Sequence, residues 1–212
     1  MSRVLAGALI TLALMTTAAA AQSRADALAA LTAADVEARR LGAAVLLERG
    51  TMADATALVA ALRDPDAQVR GLAEAALWAV WSRSGDDAID GILEIGVGQM
   101  RNGQVQASVD TFSEIIHRRP DFAEGWNKRA TAYYLLGDWR RSAADCDEVL
   151  RRNPQHFGAL SGYGMIWLQL DEPARALERF EQALAVNPNL ESVATTIDAL
   201  RAVLLKQRRD AI

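Results

Sequence analysis

The sequence predicts an all-α protein built as a solenoid of helical hairpins. Apolar residues recur at helical spacing in runs of about 12 to 18 residues, and no stretch alternates apolar and polar residues as a half-buried strand would. In addition, Pro120, Pro154 and Pro188 stand at equal intervals of 34 residues, and the sequence between them repeats. A fixed period of this length indicates units that bury their apolar faces by stacking on their neighbours.

Residues 1–21 have the pattern of a secretory signal peptide. Arg3 supplies a positive charge, residues 4–15 are largely apolar, and Ala19-Ala20-Ala21 offers small residues for cleavage. We expect cleavage after Ala21 and therefore a periplasmic or secreted protein that is not inserted in a membrane. The alternative is an uncleaved anchor, but the apolar run contains threonines and is close to the shortest length that spans a bilayer.

Composition and motifs argue against several functions. The chain has 23 Lys and Arg against 27 Asp and Glu, a net charge of −4, which gives no basic surface for nucleic acid or anionic membranes. Cys146 is the only cysteine, so no internal disulfide can form. His117 and His156 are expected to be solvated residues near helix ends. Because no metal-ligand spacing, phosphate loop or activated nucleophile is present, we expect no enzyme, no cofactor and no metal site.

The block of residues 22–85 carries a short repeat with an offset of 31 residues, seen in the pairs Ala30 and Ala61, Leu31 and Leu62, Asp35 and Asp66, Arg39 and Arg70, Leu41 and Leu72, and Ala44 and Ala75. Its segment 62–70 is similar to the signature of short HEAT-like repeats, which implies two HEAT-like hairpins. Asp64 is predicted to cap the helix that follows, and Asp66 to pair with Arg70 four residues later.

Residues 86–190 carry three units of the 34-residue repeat. Aligned positions of the first helices are Ile92, Trp126 and Leu160; Gly96, Ala130 and Gly164; and Gln99, Tyr133 and Trp167. Aligned positions of the second helices are Ser108, Ser142 and Ala176; Phe112, Cys146 and Phe180; and Ile115, Val149 and Ala183. This pattern resembles the tetratricopeptide repeat (TPR). The resemblance is stronger in the second and third units, because Ile92 and Gln99 depart from the family's preferences in the first.

Particular residues of these units have predicted structural roles. The small residues of the first helices allow close approach of the second helices. Gly103 and Gly137 fit turns that need a positive φ, and Asp171 occupies the corresponding turn of the third unit. The position of Cys146 usually holds a large apolar residue in the resembled family, so we expect a buried, inert thiol.

Residues 191–212 are predicted to form a capping helix and tail. One apolar stripe at helical spacing covers the last repeat, and it consists of Val193, Ile197, Leu200 and Leu204.

The resemblance to TPR proteins also implies a concave groove lined by the first helices. The groove positions we select are Leu93, Val97, Met100, Arg101, Asn127, Lys128, Thr131, Tyr134, Ser161, Met165, Leu168 and Gln169. Some TPR proteins grip a peptide's terminal carboxylate with lysines, asparagines and an arginine. Here Leu93, Val97 and Gly162 replace three of those residues, so an extended apolar segment or an amphipathic helix is the expected ligand.

The sequence leaves two questions open. Leu93, Val97 and Met100 either face the groove or are covered by the HEAT-like block. The function is either that of an adaptor or assembly factor binding a peptide or helix of another protein, or that of a self-assembling structural scaffold of the cell envelope. In the second case either the same groove surfaces or the last helix, through Val193, Ile197 and Leu200, would join copies of the chain.

Overall fold

The computed structural model describes residues 23–210, apart from the side chain of residue 208, and the predicted signal peptide therefore lies outside the described residues. All regular structure in this range is helical, as predicted. The helices are α1 (Arg24–Ala30), α2 (Val36–Arg49), α3 (Ala55–Ala61), α4 (Ala67–Trp81), α5 (Asp87–Arg101), α6 (Val105–Arg118), α7 (Ala123–Leu135), α8 (Trp139–Arg152), α9 (Phe157–Gln169), α10 (Pro173–Val186) and α11 (Glu191–Asp210). The chain divides into two compact units, one ending at Arg83 and one beginning at Ser84.

The first unit consists of two helical hairpins, α1 with α2 and α3 with α4. A 3₁₀ turn over Met52–Asp54 precedes α3, and Thr51 and Asp54 form a capping box there. The core between the helices is closely packed and includes the fully buried Leu46, Leu58 and Leu77. No helix among residues 23–210 combines the length and the apolarity that crossing a bilayer requires. That these hairpins are HEAT-like stays a prediction.

The predicted cap of α4 is wrong by two residues. Asp66, and not Asp64, accepts the backbone N–H of Val69 at 3.0 Å. The carboxylate of Asp64 is held by Arg39, whose Nε lies 2.7 Å from Oδ2. Arg70 donates to the main-chain oxygen of Asp64, and the carboxylate of Asp66 is bound by Arg40, whose Nη2 lies 2.6 Å from Oδ2. Long-range ion pairs with α2 therefore replace the local contacts that spacing suggested.

The second unit contains three hairpins, α5 with α6, α7 with α8 and α9 with α10, followed by α11. The hairpin turns have positive φ at Gly103, Gly137 and Asp171, with values of 76°, 75° and 57°. The second helix of each hairpin ends two residues before a proline of the repeat, because proline disfavours helical geometry in the residue before it.

The small residues of the first helices permit close contact with phenylalanines of the second helices. A Cβ atom at Gly96 would lie 2.3 Å from Cε1 of Phe112, and one at Gly164 would lie 2.6 Å from Cε1 of Phe180. Both phenylalanines are buried. These two hairpins therefore have the same helix-to-helix packing, which the sequence repeat predicts.

Helix α11 packs against the last hairpin through its apolar stripe. Val193, Ile197 and Leu200 are buried in one cluster with Phe180. These three residues are therefore not available in this structure to join two copies of the chain, which leaves the groove surfaces as the other route to a scaffold. Leu204 is only half-buried.

Candidate partner-binding groove

The groove of the second unit contains an open cavity of about 180 Å³ between α7, α8 and α9. Most of its lining residues are small or apolar, and none of those described is charged. They are Asn127, Ala130, Thr131, Tyr134, Ser142, Cys146, Gly158, Ala159, Gly162, Met165 and Ile166.

The cavity forms where the second repeat departs from its neighbours. In the first and third repeats a glycine faces a phenylalanine, but the second repeat has Ala130 and Cys146 at these positions. A cysteine side chain occupies much less volume than a phenylalanine ring, and one added methyl group on the facing helix does not make up the difference. Both residues line the cavity. The missing ring therefore accounts for the free space.

Four of the predicted groove residues lie together at this cavity. Asn127, Thr131 and Tyr134 project from α7, and Met165 faces them from α9. Met165 is 41% exposed, which leaves its side chain accessible to a ligand. Ser142 and Cys146 of α8 were not predicted, although the mismatch of Cys146 with the phenylalanines in the repeat alignment was a usable signal.

Leu93 is not a groove residue. Its side chain is 5% exposed and belongs to the hydrophobic core that also contains Ile89 and Phe112. Spacings of four and three residues place Leu93 on the same helical face as Ile89 and Gly96, which is the face that packs on α6. Val97 and Met100 are half-buried against this core.

The remaining predicted residues do not line the cavity. Arg101 and Gln169 are exposed at the ends of α5 and α9. Ser161 is half-buried and its hydroxyl donates to the main-chain oxygen of Phe157. Leu168 packs against the core shared by α10 and α11.

A buried polar network lies next to the cavity and was not predicted. Glu124 of α7 is fully buried, and its Oε2 accepts hydrogen bonds from Asn127 Nδ2 at 3.0 Å and from His156 Nε2 at 3.1 Å. Lys128 Nζ lies 2.9 Å from Glu124 Oε1. His156 Nδ1 accepts the backbone N–H of Ala159, so the ring proton is on Nε2 and the residue caps α9. The prediction that His156 is solvated is therefore wrong.

The network holds Glu124 in its charged form. Burial acts to raise the pKa of Glu124, since it disfavours a charge. The hydrogen bond that His156 donates, its electrostatic interaction with the carboxylate, and the charge of Lys128 outweigh burial and place the pKa of Glu124 below its ordinary value. A carboxylate is thus fixed behind the groove wall.

Lys128 is half-buried and paired with Glu124. Asn127 is 9% exposed, and one polar atom of its side chain is available for a hydrogen bond. The Asn127 nitrogen is bound to Glu124, whereas Oδ1 accepts no hydrogen bond from the described residues. Because Asn127 also lines the cavity, this oxygen is a hydrogen-bond acceptor available to a ligand.

Cys146 is buried, as predicted, and burial raises the pKa of its thiol to about 12. A thiol with this pKa is almost entirely protonated at neutral pH and a poor nucleophile or metal ligand. Residues 23–210 contain no group of three or more His, Cys, Asp or Glu side chains placed to hold a metal ion.

Known proteins resemble the second unit. The family model of the tetratricopeptide repeat matches residues 93–157 and 127–191. A TPR repeat-containing protein of Rhizobium etli is 31% identical over 128 residues, which are 60% of this chain and 63% of that protein. The chain thus covers less than two thirds of this relative.

Solved structures show the same fold at low sequence identity. The first TPR domain of Spaghetti (RPAP3), bound to an HSP90 peptide, has a TM-score of 0.54 at 20% identity, covering 55% of this chain and 93% of that one. The Yersinia enterocolitica secretion chaperone SycD, in complex with a peptide of the translocator YopD, has a TM-score of 0.53 at 11% identity, covering 55% and 95%. The fold thus defines a helical-hairpin repeat protein. With the family model matching residues 93–157 and 127–191, the second unit carries tetratricopeptide repeats.

Proposed function

We propose that the protein is an exported adaptor or assembly factor that binds a segment of a partner protein in the groove between α7 and α9. The observation that carries this proposal is the cavity of about 180 Å³ in that groove. An apolar cavity of about 150 Å³ in another protein holds benzene, so this one has room for a single large apolar side chain such as leucine or phenylalanine.

Two further observations support this function. Domains with this fold hold peptides of other proteins, as in the Spaghetti domain bound to an HSP90 peptide. The cavity also combines an apolar lining with a few polar groups, which is typical of ligand sites. Export is proposed from the signal-peptide pattern of residues 1–21, and a mature protein that retains Met1 would contradict it.

A photo-crosslinking amino acid in place of Tyr134 tests the proposal in intact cells. We expect it to capture one reproducible partner. Gly162→Leu should abolish the capture, because a Cβ atom at Gly162 meets no atom within 4 Å and a leucine there can occupy the cavity. Gly98→Leu is the matched control, since Gly98 also has open space and lies on α5.

The outcomes separate the candidate functions. A partner that is captured equally with and without Gly162→Leu does not use the cavity. Capture of only the protein itself would favour the self-assembling scaffold.

A further inference from the structure

A further inference rests on the proposed function and concerns the chemistry that the groove accepts. Both positive charges of α7 are already engaged in ion pairs. Lys128 is paired with the buried Glu124, and Arg129 is held by two contacts of 2.8 Å with Asp145. Helix α9, which forms the opposite wall, has no charged residue.

Glu124 determines which polar group faces the ligand. It binds the carboxamide nitrogen of Asn127, which leaves Oδ1 as the atom without a partner. It also neutralises Lys128, the lysine beside Asn127. The cavity wall therefore offers a hydrogen-bond acceptor and no free positive charge, and this complements an N–H donor.

We infer that Glu124 makes the groove selective for an internal, uncharged segment of a partner and excludes the carboxylate at a chain's end. A carboxylate entering the cavity would lose solvent without gaining a cation, because Lys128 and Arg129 are already paired with carboxylates of this chain. The backbone N–H of an internal segment can instead donate to Asn127 Oδ1 while its apolar side chain fills the cavity. Glu124 acts through Asn127 and Lys128 and is a positioning residue.

Two small probes with the same anchor test this selectivity. N-acetylphenylalanine amide and N-acetylphenylalaninate share the same side chain and acetyl group, and they differ in ending in a neutral carboxamide or in a charged carboxylate. Binding is measured by NMR titration of the Met165 methyl signal, assigned with Met165→Leu, since Met165 lines the cavity. For the wild-type protein at pH 7 we expect the amide to bind about tenfold more tightly than the carboxylate.

Two substitutions should change this ratio in opposite directions. Glu124→Gln leaves Lys128 unpaired and able to attract a carboxylate, so the ratio should fall to about threefold or less. Lys128→Gln leaves Glu124 less compensated, so the ratio should rise at least about twofold. Glu148→Gln is the control, because it makes the same chemical change in an ion pair on α8 outside the cavity lining.

The outcomes distinguish failure of the inference from failure of the proposed function. If neither probe shifts Met165, the cavity does not bind an apolar side chain and the proposed function loses its support. If both probes bind wild-type protein equally, the groove is still supported as a binding site and the inference about Glu124 is wrong. If Glu124→Gln does not fold, Lys128→Gln decides, and an unchanged or lower ratio in that variant overturns the inference.

Discussion

Replacing Gly164 with alanine tests the helix packing on which the repeat fold depends. The new Cβ atom would lie 2.6 to 2.8 Å from three ring atoms of Phe180, which is buried and enclosed by the core of the last hairpin. Carbon atoms pack best at about 3.5 to 4.0 Å, so the ring or the helix must move by roughly 1 Å. Overpacking of a core usually costs about 1–3 kcal/mol, and the rigid ring places this site near the upper limit.

The change from glycine to alanine also stabilises the helix itself, and this gain must be subtracted from the cost of overpacking. Alanine in a helix interior is more favourable than glycine by about 1 kcal/mol. Gly164→Ala should therefore lower the free energy of unfolding by about 2 kcal/mol. Gly162→Ala, one half-turn earlier on α9 and facing open space, should raise it by up to about 1 kcal/mol. The two variants should thus differ by about 3 kcal/mol.

Urea denaturation followed by circular dichroism measures both variants under the same conditions. Adding Phe180→Leu removes the ring that the new methyl group meets, so Gly164→Ala should cost less than about 1 kcal/mol in that background. If Gly164→Ala is as stable as Gly162→Ala, close glycine-to-ring packing does not hold these hairpins together and the reasoning fails.

Three other predictions concern single groups. Because the pKa of Glu124 is lowered on folding, its stabilisation is present above the unfolded-state pKa of about 4.3 and is lost as the pH falls through the folded value. The advantage of wild-type protein over Glu124→Gln in urea denaturation should therefore shrink below about pH 4.3. Cys146, with a pKa of about 12, should resist alkylation at pH 8 in the folded protein and react fully in urea, as mass spectrometry would show. Asp171→Gly should raise the free energy of unfolding by about 0.5–1 kcal/mol, since glycine adopts a φ of 57° without strain.

Much of the fold could be predicted from the sequence because its determinants are local and recur. The 34-residue period gave the three hairpins, and Gly103 and Gly137 marked their turns. In the first unit the same local reasoning misplaced the cap of α4, because Asp64 is held by Arg39, 25 residues earlier in the chain. A carboxylate caps a helix only if no other donor binds it first. The spacing of residues along the sequence does not show whether a distant donor such as Arg39 will do so.

The candidate site was only partly predictable, since it depends on contacts between repeats. Asn127, Thr131, Tyr134 and Met165 were found by their positions on the first helices. Glu124 and His156 are 32 residues apart and meet only when the third repeat stacks on the second. A histidine near a helix end is usually solvated, and stacking overrides that tendency here.

The network and the cavity share one property, which is that both break the repeat. The positions equivalent to Glu124 are Asp90 and Gly158, and those equivalent to His156 are Phe122 and Leu190. A solenoid needs only apolar contacts at such positions to stack, and Phe122 meets that need as a buried core residue. A buried histidine and a missing ring do not improve stacking, because each replaces a large apolar side chain that the other repeats keep. Their occurrence side by side at one junction is therefore better explained by a ligand than by the fold.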